Sequence, residues 1–257
     1  MTDTTPSPAP APAAADLGRG LVDIVRTVGM ALAIALVLRV VLFQPFTIPS
    51  SSMEPGLVTG DYIVVSKLAY GWSRASLPLN PPLFEGRLLG RMARRGDVVV
   101  FRLPRDPSQT WIKRVIGLPG DRVQVRTGQV FVNGRPLPQT PMGLTRDHDA
   151  PERPVLAVGE RTPDGRAYVT YDGGNEQPGD DTGVYVVPAG QYFVMGDNRD
   201  NSLDSRWPRE LGVGLLPAEN LVGKARFVMV SWRPGASLLK PWTWLDLQFD
   251  RLLKPIR

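Results

Sequence analysis

The chain has 257 residues, 42% of them hydrophobic, with a net charge of +5, 26 Gly, 26 Pro, one His and no Cys. This is room for one large or two small domains, and the Gly and Pro content favours a loop-rich β protein over a helical bundle. Absent thiols exclude disulfides and cysteine chemistry, one imidazole falls short of a zinc centre, and scattered basic charge without a nucleic-acid-binding motif suits an anionic membrane surface, not nucleic acid.

Residues 1–20 form a Thr-, Pro- and Ala-rich tail with too little bulk to order itself. Apolar residues then run over 21–43, broken by Asp23, Arg26 and Arg39. Thr27–Phe43 would make about 25 Å of helix, near the lower limit for crossing a hydrocarbon core. No small-x-small cleavage site follows, so the expectation is an uncleaved transmembrane anchor, with a buried globular helix as the alternative.

Ile48-Pro49-Ser50-Ser51-Ser52-Met53-Glu54-Pro55-Gly56-Leu57 comes next. Two prolines fence three hydroxyls onto a rigid, non-helical connection. Its plain reading is a solvated linker. A hydroxyl becomes a nucleophile only where a base can take its proton.

From there the pattern is that of a β protein. Strands are expected at Asp61–Ser66, Asp97–Phe101 and Trp111–Ile116. Asp121–Val125 and Gln129–Val132 read as a hairpin across Thr127-Gly128, and Asn133-Gly134 signals a second turn. The connection 71–95 carries apolar Trp72, Leu83, Phe84, Leu88 and Leu89. Residues 135–180 read as a peripheral insertion with one strand, Ala167–Tyr171. Gly183–Val187, Gln191–Met195 and Ala225–Trp232 complete the set. Residues 236–257 have the apolar spacing of an amphipathic helix or edge strand, with Trp242 and Trp244 suited to a membrane interface.

Three features bear on chemistry. On a strand, alternate residues share a face, so Lys113 lies with Trp111 and Val115, and Arg114 with Ile112 and Ile116. A lysine among apolar groups loses water, which favours the neutral amine, a general base. Moving its pKa from about 10.4 to 8 costs about 3 kcal/mol; a snorkelling strand lysine is the alternative. Gly196-Asp197-Asn198-Arg199-Asp200-Asn201-Ser202-Leu203-Asp204-Ser205-Arg206-Trp207 follows an apolar strand, where such residues form either a solvated loop or a fixed hydrogen-bond network. The lone His148 sits in a polar, turn-like setting and is a poor base for a Ser-His-Asp triad.

Four segments taken in order resemble the bacterial signal peptidase I family, membrane-bound Ser/Lys endopeptidases that remove signal peptides from exported proteins. They are Pro49–Pro55, Arg95–Phe101, Lys113–Asp121 and Gly196–Arg206. The resemblance covers about residues 21–232 and omits most of 135–180, where such proteins vary in length. It implies a mostly β fold: two antiparallel β-sheets forming a catalytic core plus a β-rich cap, with one N-terminal transmembrane helix. Residues 44–134 and 181–235 would build the core and 135–180 the cap.

The resemblance also implies that Ser52, the serine before Met53, is the nucleophile and Lys113 the general base. Ser50 and the Ser52 N–H would hold the oxyanion. Ser202 would orient the lysine, and Asp204 and Arg206 would pair behind it, next to Gly196. Apolar residues such as Ile48, Met53 and Val100 would line pockets for small side chains. The implied partners are secretory preproteins at their signal-peptide region and membrane lipid, with no nucleic acid, no metal and no cofactor. The implied location is the cell membrane, single-pass, with the catalytic domain on the outer face. Gly56 stands where the family usually has Thr, and Trp207-Pro208 where it often has Tyr-Trp or Tyr-Val. A membrane-tethered binding domain would not need both Ser52 and Lys113. A self-cleaving Ser/Lys repressor would need a DNA-binding helix pair.

Overall fold

The computed structural model describes residues 14–77, 80–81, 84–147, 151–174, 176–233, 236, 241–243 and 245–256. His148, Leu83 and Trp244 lie outside them. The chain divides into two units, Met1–Arg39 and Val40–Arg257.

Helix α1, Ala14–Val41, opens within the tail expected over 1–20, so residues 14–20 are helical. Ala, Leu, Met and Arg are good helix formers, and Arg39 in the last turn meets the negative end of the helix dipole. The large apolar side chains from Val22 to Leu38 are between 48% and 65% exposed. Among the described residues, no helix is long and apolar enough to cross a membrane. Asp23, Arg26 and Arg39 interrupt the apolar run of α1. The expected span over 21–43 also ends early, because Phe43 opens a strand.

From there the chain makes β1 (Phe43–Thr47), β2 (Asp61–Ser66), β3 (Val98–Leu103), β4 (Asp106–Gly117), β5 (Arg122–Arg126), β6 (Gln129–Val132) and β7 (Arg135–Pro136). Then follow β8 (Gln139–Arg146), β9 (Pro154–Arg161), β10 (Ala167–Asp172), β11 (Tyr185–Val186), β12 (Gln191–Met195), β13 (Leu216–Pro217) and β14 (Leu221–Ser231). They form three antiparallel sheets, two built mainly from the core segments and a third in the insertion expected as a β-rich cap. The largest runs β1-β2-β14-β3-β4-β12-β13, a second β11-β5-β6-β7, and the cap β10-β9-β8.

The large sheet is covered on both faces, as its two-residue period requires. Val98 and Val100 pack on one side with Ile48, Met53, Ile63 and Val65. Val99 and Phe101 pack on the other with Val115, Tyr192 and Val194. Each such side chain contributes about 1.5–3 kcal/mol on full burial. A third cluster, with Ile116, Val123 and Phe193, joins the second sheet to the first. Its hairpins turn at Thr127-Gly128 and Asn133-Gly134, all four residues at positive φ, the two-residue geometry that matches strand twist.

Several expectations change. Among the described residues the insertion 135–180 holds four strands, not one: the two-residue β7, then β8, β9 and β10. β8 escapes sequence reading because it is an edge strand, mostly exposed, with Pro141 and Gly143 in place of apolar alternation. β1 is hidden by Pro45, also on an edge. β14 starts at Leu221, four residues before the expected Ala225.

The C-terminal segment is neither amphipathic helix nor strand. Short 3-10 turns at Pro241–Thr243 and Phe249–Arg251 alternate with single bridges, Leu247 to Trp232 and Pro255 to Phe227 of β14. β14 pairs with β3 only through Lys224, so its later residues have a free side, which accepts this strap. Val228 N donates to the Lys254 carbonyl and Ile256 N to that of Arg226, at 2.8 and 2.9 Å.

Candidate active site

The serine run folds as a 3-10 turn, Ser51–Met53, entered from extended Ser50. Glu54 N donates to Ser51 O and Leu57 N to Met53 O, both at 2.9 Å. Met53 and Leu57 are buried and pin the turn to the core. The tight rotation separates the three hydroxyls. Ser50 is exposed on the rim of a cavity of about 620 Å³; Ser52, half-buried, opens into it; Ser51 points inward, where its Oγ accepts from Asn201 Nδ2 at 2.7 Å.

Lys113 comes from the middle of β4, opposite Val99 of β3. It is 4% exposed, and its Nζ lies 2.7 Å from Ser52 Oγ. Burial pushes the amine down from 10.5 to about 8, against the raising effect of Asp204 and Asp197. Its Nζ is 5.6 Å from the centre of the Trp111 ring, on the shared face that strand alternation predicts. Arg114 points the opposite way. It makes a two-bonded pair with Asp197, both distances 2.6 Å, donates to Gly96 O at 2.8 Å and stacks 4.1 Å from the Tyr168 ring centre.

The Gly196–Trp207 segment is the fixed network and not the solvated loop. Arg206 Nε and Nη2 donate to the two Asp204 oxygens at 3.0 Å, and Gly196 N donates to Asp204 Oδ2 at 2.9 Å. Burial alone raises the Asp204 carboxyl, but Arg206 and the backbone N–H groups hold it below its ordinary value. Gly196 is required by close approach: a Cβ there would lie 2.3 Å from Ser202 Oγ and 2.6 Å from the Ser52 carbonyl oxygen.

Ser202 departs from expectation. It is buried beside the cavity, but its Oγ makes no hydrogen bond, to Lys113 or to any other described group. Met53 is a core residue, so of the three expected pocket residues only Ile48 and Val100 line the cavity. Gly56 does not leave its turn loose, since Arg251 Nη2 donates to its carbonyl at 3.1 Å while that guanidinium pairs with Asp61. Trp207, with Nε1 donating to Ser202 O at 3.1 Å, also lines the cavity. Among the described residues no cluster of three His, Asp or Glu side chains is placed to hold a metal.

Sequence reasoning assigned no role to Asn198, Asn201 or Asp147. Asn198 N donates to the Ser52 carbonyl at 3.2 Å, and its Nδ2 to Asp147 Oδ2 at 2.8 Å. Only the residue types hinted at this: carboxamides and a carboxylate among small polar neighbours.

A buried lysine against a serine hydroxyl, in a cleft of an antiparallel-β domain, is an arrangement in which a neutral amine could activate a hydroxyl nucleophile, the chemistry of a serine hydrolase. The family described as Signal peptidase, peptidase S26, matches residues 21–232, and the chain belongs to this family of bacterial signal peptidases I, which are serine endopeptidases. The signal peptidase I of Rickettsia typhi is 39% identical over 230 residues, 82% of this chain and 85% of that one. That of Rickettsia akari is 39% identical over 231 residues, 82% of this chain and 84% of that one. A solved signal peptidase I from Enterococcus faecalis V583 is 26% identical and spans 52% of this chain and 97% of its own, with a TM-score of 0.31.

Proposed function

We propose that this chain removes N-terminal signal peptides from exported preproteins by acyl transfer from a Ser52–Lys113 dyad. The observation that carries this reading is the 2.7 Å approach of Lys113 Nζ to Ser52 Oγ, with the amine near 8 and so partly neutral at physiological pH. The neutral amine takes the Ser52 proton as Oγ attacks the scissile carbonyl. The resulting ammonium then gives that proton to the leaving amine, and water resolves the acyl-enzyme. Ser50 Oγ and the Ser52 N–H are the proposed oxyanion donors. Ser202, its hydroxyl unpaired beside the cavity, is the proposed acceptor for Lys113 once the amine is protonated. The Asp204–Arg206 pair holds the Gly196 backbone behind them.

The apolar wall containing Ile48, Ile63, Val100 and Ile112 favours small apolar side chains before the cut. Helix α1 is the proposed membrane anchor, its apolar side chains facing lipid, with the catalytic unit on the outer face. Secretory preproteins and membrane lipid are the proposed partners, and no cofactor, metal or nucleic acid enters the mechanism.

The test is incubation of the detergent-solubilised full chain with a preprotein, followed by sequencing of the new N-terminus. Cleavage after the signal peptide by wild type and not by Ser52→Ala is the expected result. A different cut, or cleavage by Ser52→Ala, overturns the reading.

A further inference from the structure

The cap sheet grips the segment that in turn grips the nucleophile turn. At the end of β8, Asp147 is 5% exposed, and its Oδ2 accepts from Asn198 Nδ2 at 2.8 Å and from Asn201 Nδ2 at 3.4 Å. The same Asn201 nitrogen donates to Ser51 Oγ at 2.7 Å. One carboxamide thus spans from the cap to the residue next to Ser52. On β9, Glu160 accepts from Arg199 at 2.6 and 3.0 Å and from Tyr168 of β10 at 2.5 Å. Tyr171 N donates to the Asp197 carbonyl at 2.8 Å, and Gly173 N to Asp200 Oδ2 at 2.6 Å.

These contacts matter because a three-residue 3-10 turn does little to orient itself. The backbone bonds from Glu54 N to Ser51 O, Leu57 N to Met53 O and Asn198 N to Ser52 O hold its main chain but leave the Ser51 side chain to Asn201. Bringing a hydroxyl to an amine productively requires placement to about 0.5 Å, and a 1 Å error costs about 10²-fold in rate. Bonds to a buried carboxylate are roughly twice as strong as neutral ones, so Asp147 is a firm support.

We propose that the cap sheet positions the nucleophile: Asp147 fixes the Asn201 carboxamide, and Asn201 holds Ser51 so that Ser52 meets Lys113. Asp147 and Asn201 are positioning residues, and the inference rests on Ser52 being the nucleophile.

The test is a mutant cycle on the full chain in detergent, with a fluorogenic peptide spanning a signal-peptide cut. Asn201→Ala and Ser51→Ala are each expected to lower kcat by about tenfold with KM within about twofold, and the double variant to fall no further, because both cut one link. Asp147→Ala is expected to lose at least as much as Asn201→Ala. Thermal midpoints of the single variants at Asn201 and Ser51 are expected to stay near wild type; a merely structural cap would shift these and leave the losses independent. A kcat for Asn201→Ala within about twofold of wild type overturns the proposal, as does multiplication of the two losses in the double variant. Ser52→Ala runs alongside: activity surviving there overturns the nucleophile assignment instead, whatever Asn201 does.

Discussion

Lys113 and Arg114 are neighbours on one strand, both cationic by composition and both buried, and they meet opposite fates. Arg114 faces a carboxylate that takes two of its N–H groups at 2.6 Å, so its charge is matched. Lys113 faces a serine hydroxyl, and its nearest carboxylates act only at a distance, so burial drives the amine to about 8. The difference teaches that burial alone does not make a base. A cation buried with a bonded anion becomes structure; one buried beside a neutral hydroxyl becomes reactive.

The sharpest way to break that contrast is to remove the dyad. Ser52→Ala and Lys113→Arg are each expected to reduce peptide cleavage by at least about 10³-fold, the arginine because its guanidinium never becomes neutral. Steady-state assays check this, and substantial activity in Lys113→Arg would remove the general base from the scheme.

Next in size is the structural face. Asp197→Ala removes the carboxylate that accepts two bonds from the buried Arg114 guanidinium, and the expected loss is about 3–5 kcal/mol of folding stability. Denaturant unfolding measures it; a stability equal to wild type would show that Arg114 does not need its anion.

The reverse holds for Lys113. Its folded pKa of about 8 lies below the ordinary 10.5, so folding disfavours the ammonium. The penalty is fully present below pH 8 and vanishes as pH rises past 10.5, where the amine is neutral folded or unfolded. Lys113→Met is therefore expected to be inactive but up to about 3 kcal/mol more stable near pH 7, the gap closing in strong alkali. Thermal unfolding at the two pH values decides it, and equal stabilities would mean that the lysine is buried without penalty.

The smallest effect is kinetic. Activity is expected to climb about tenfold per pH unit below the lysine pKa and to level above about 8, as the neutral base becomes populated. The same profile in His148→Ala is expected. An acidic limb near 6.5 that disappears with His148 would transfer the base role to histidine.

Local chemistry made much of this molecule readable. Alternation identified β2, β12 and the β5–β6 hairpin at or within one residue of their ends, because side-chain period and turn residues act over a few positions. The same alternation put Lys113 beside Trp111 and opposite Arg114. Ser52, Lys113, Gly196, Asp204 and Arg206 were picked out by the family resemblance, not by local pattern; Ser52 and Lys113 line one cavity, and Gly196, bonded to Asp204, backs onto the Ser52 carbonyl.

What escaped was whatever depends on partners far along the chain. β8 is mostly exposed and broken by Pro141 and Gly143, and its pairing comes from β9. The C-terminal strap takes its shape from the free side of β14, which no local pattern announces. Ser202 was expected to bond Lys113, but its buried Oγ has no hydrogen-bond partner among the described groups. The link from Asp147 through Asn201 to Ser51 joins residues up to 150 positions apart. Composition and spacing decided which groups are available for chemistry, since those are properties of single residues and short windows. Which group meets which was decided by packing alone, because hydrogen-bond geometry is fixed only when the sheets close.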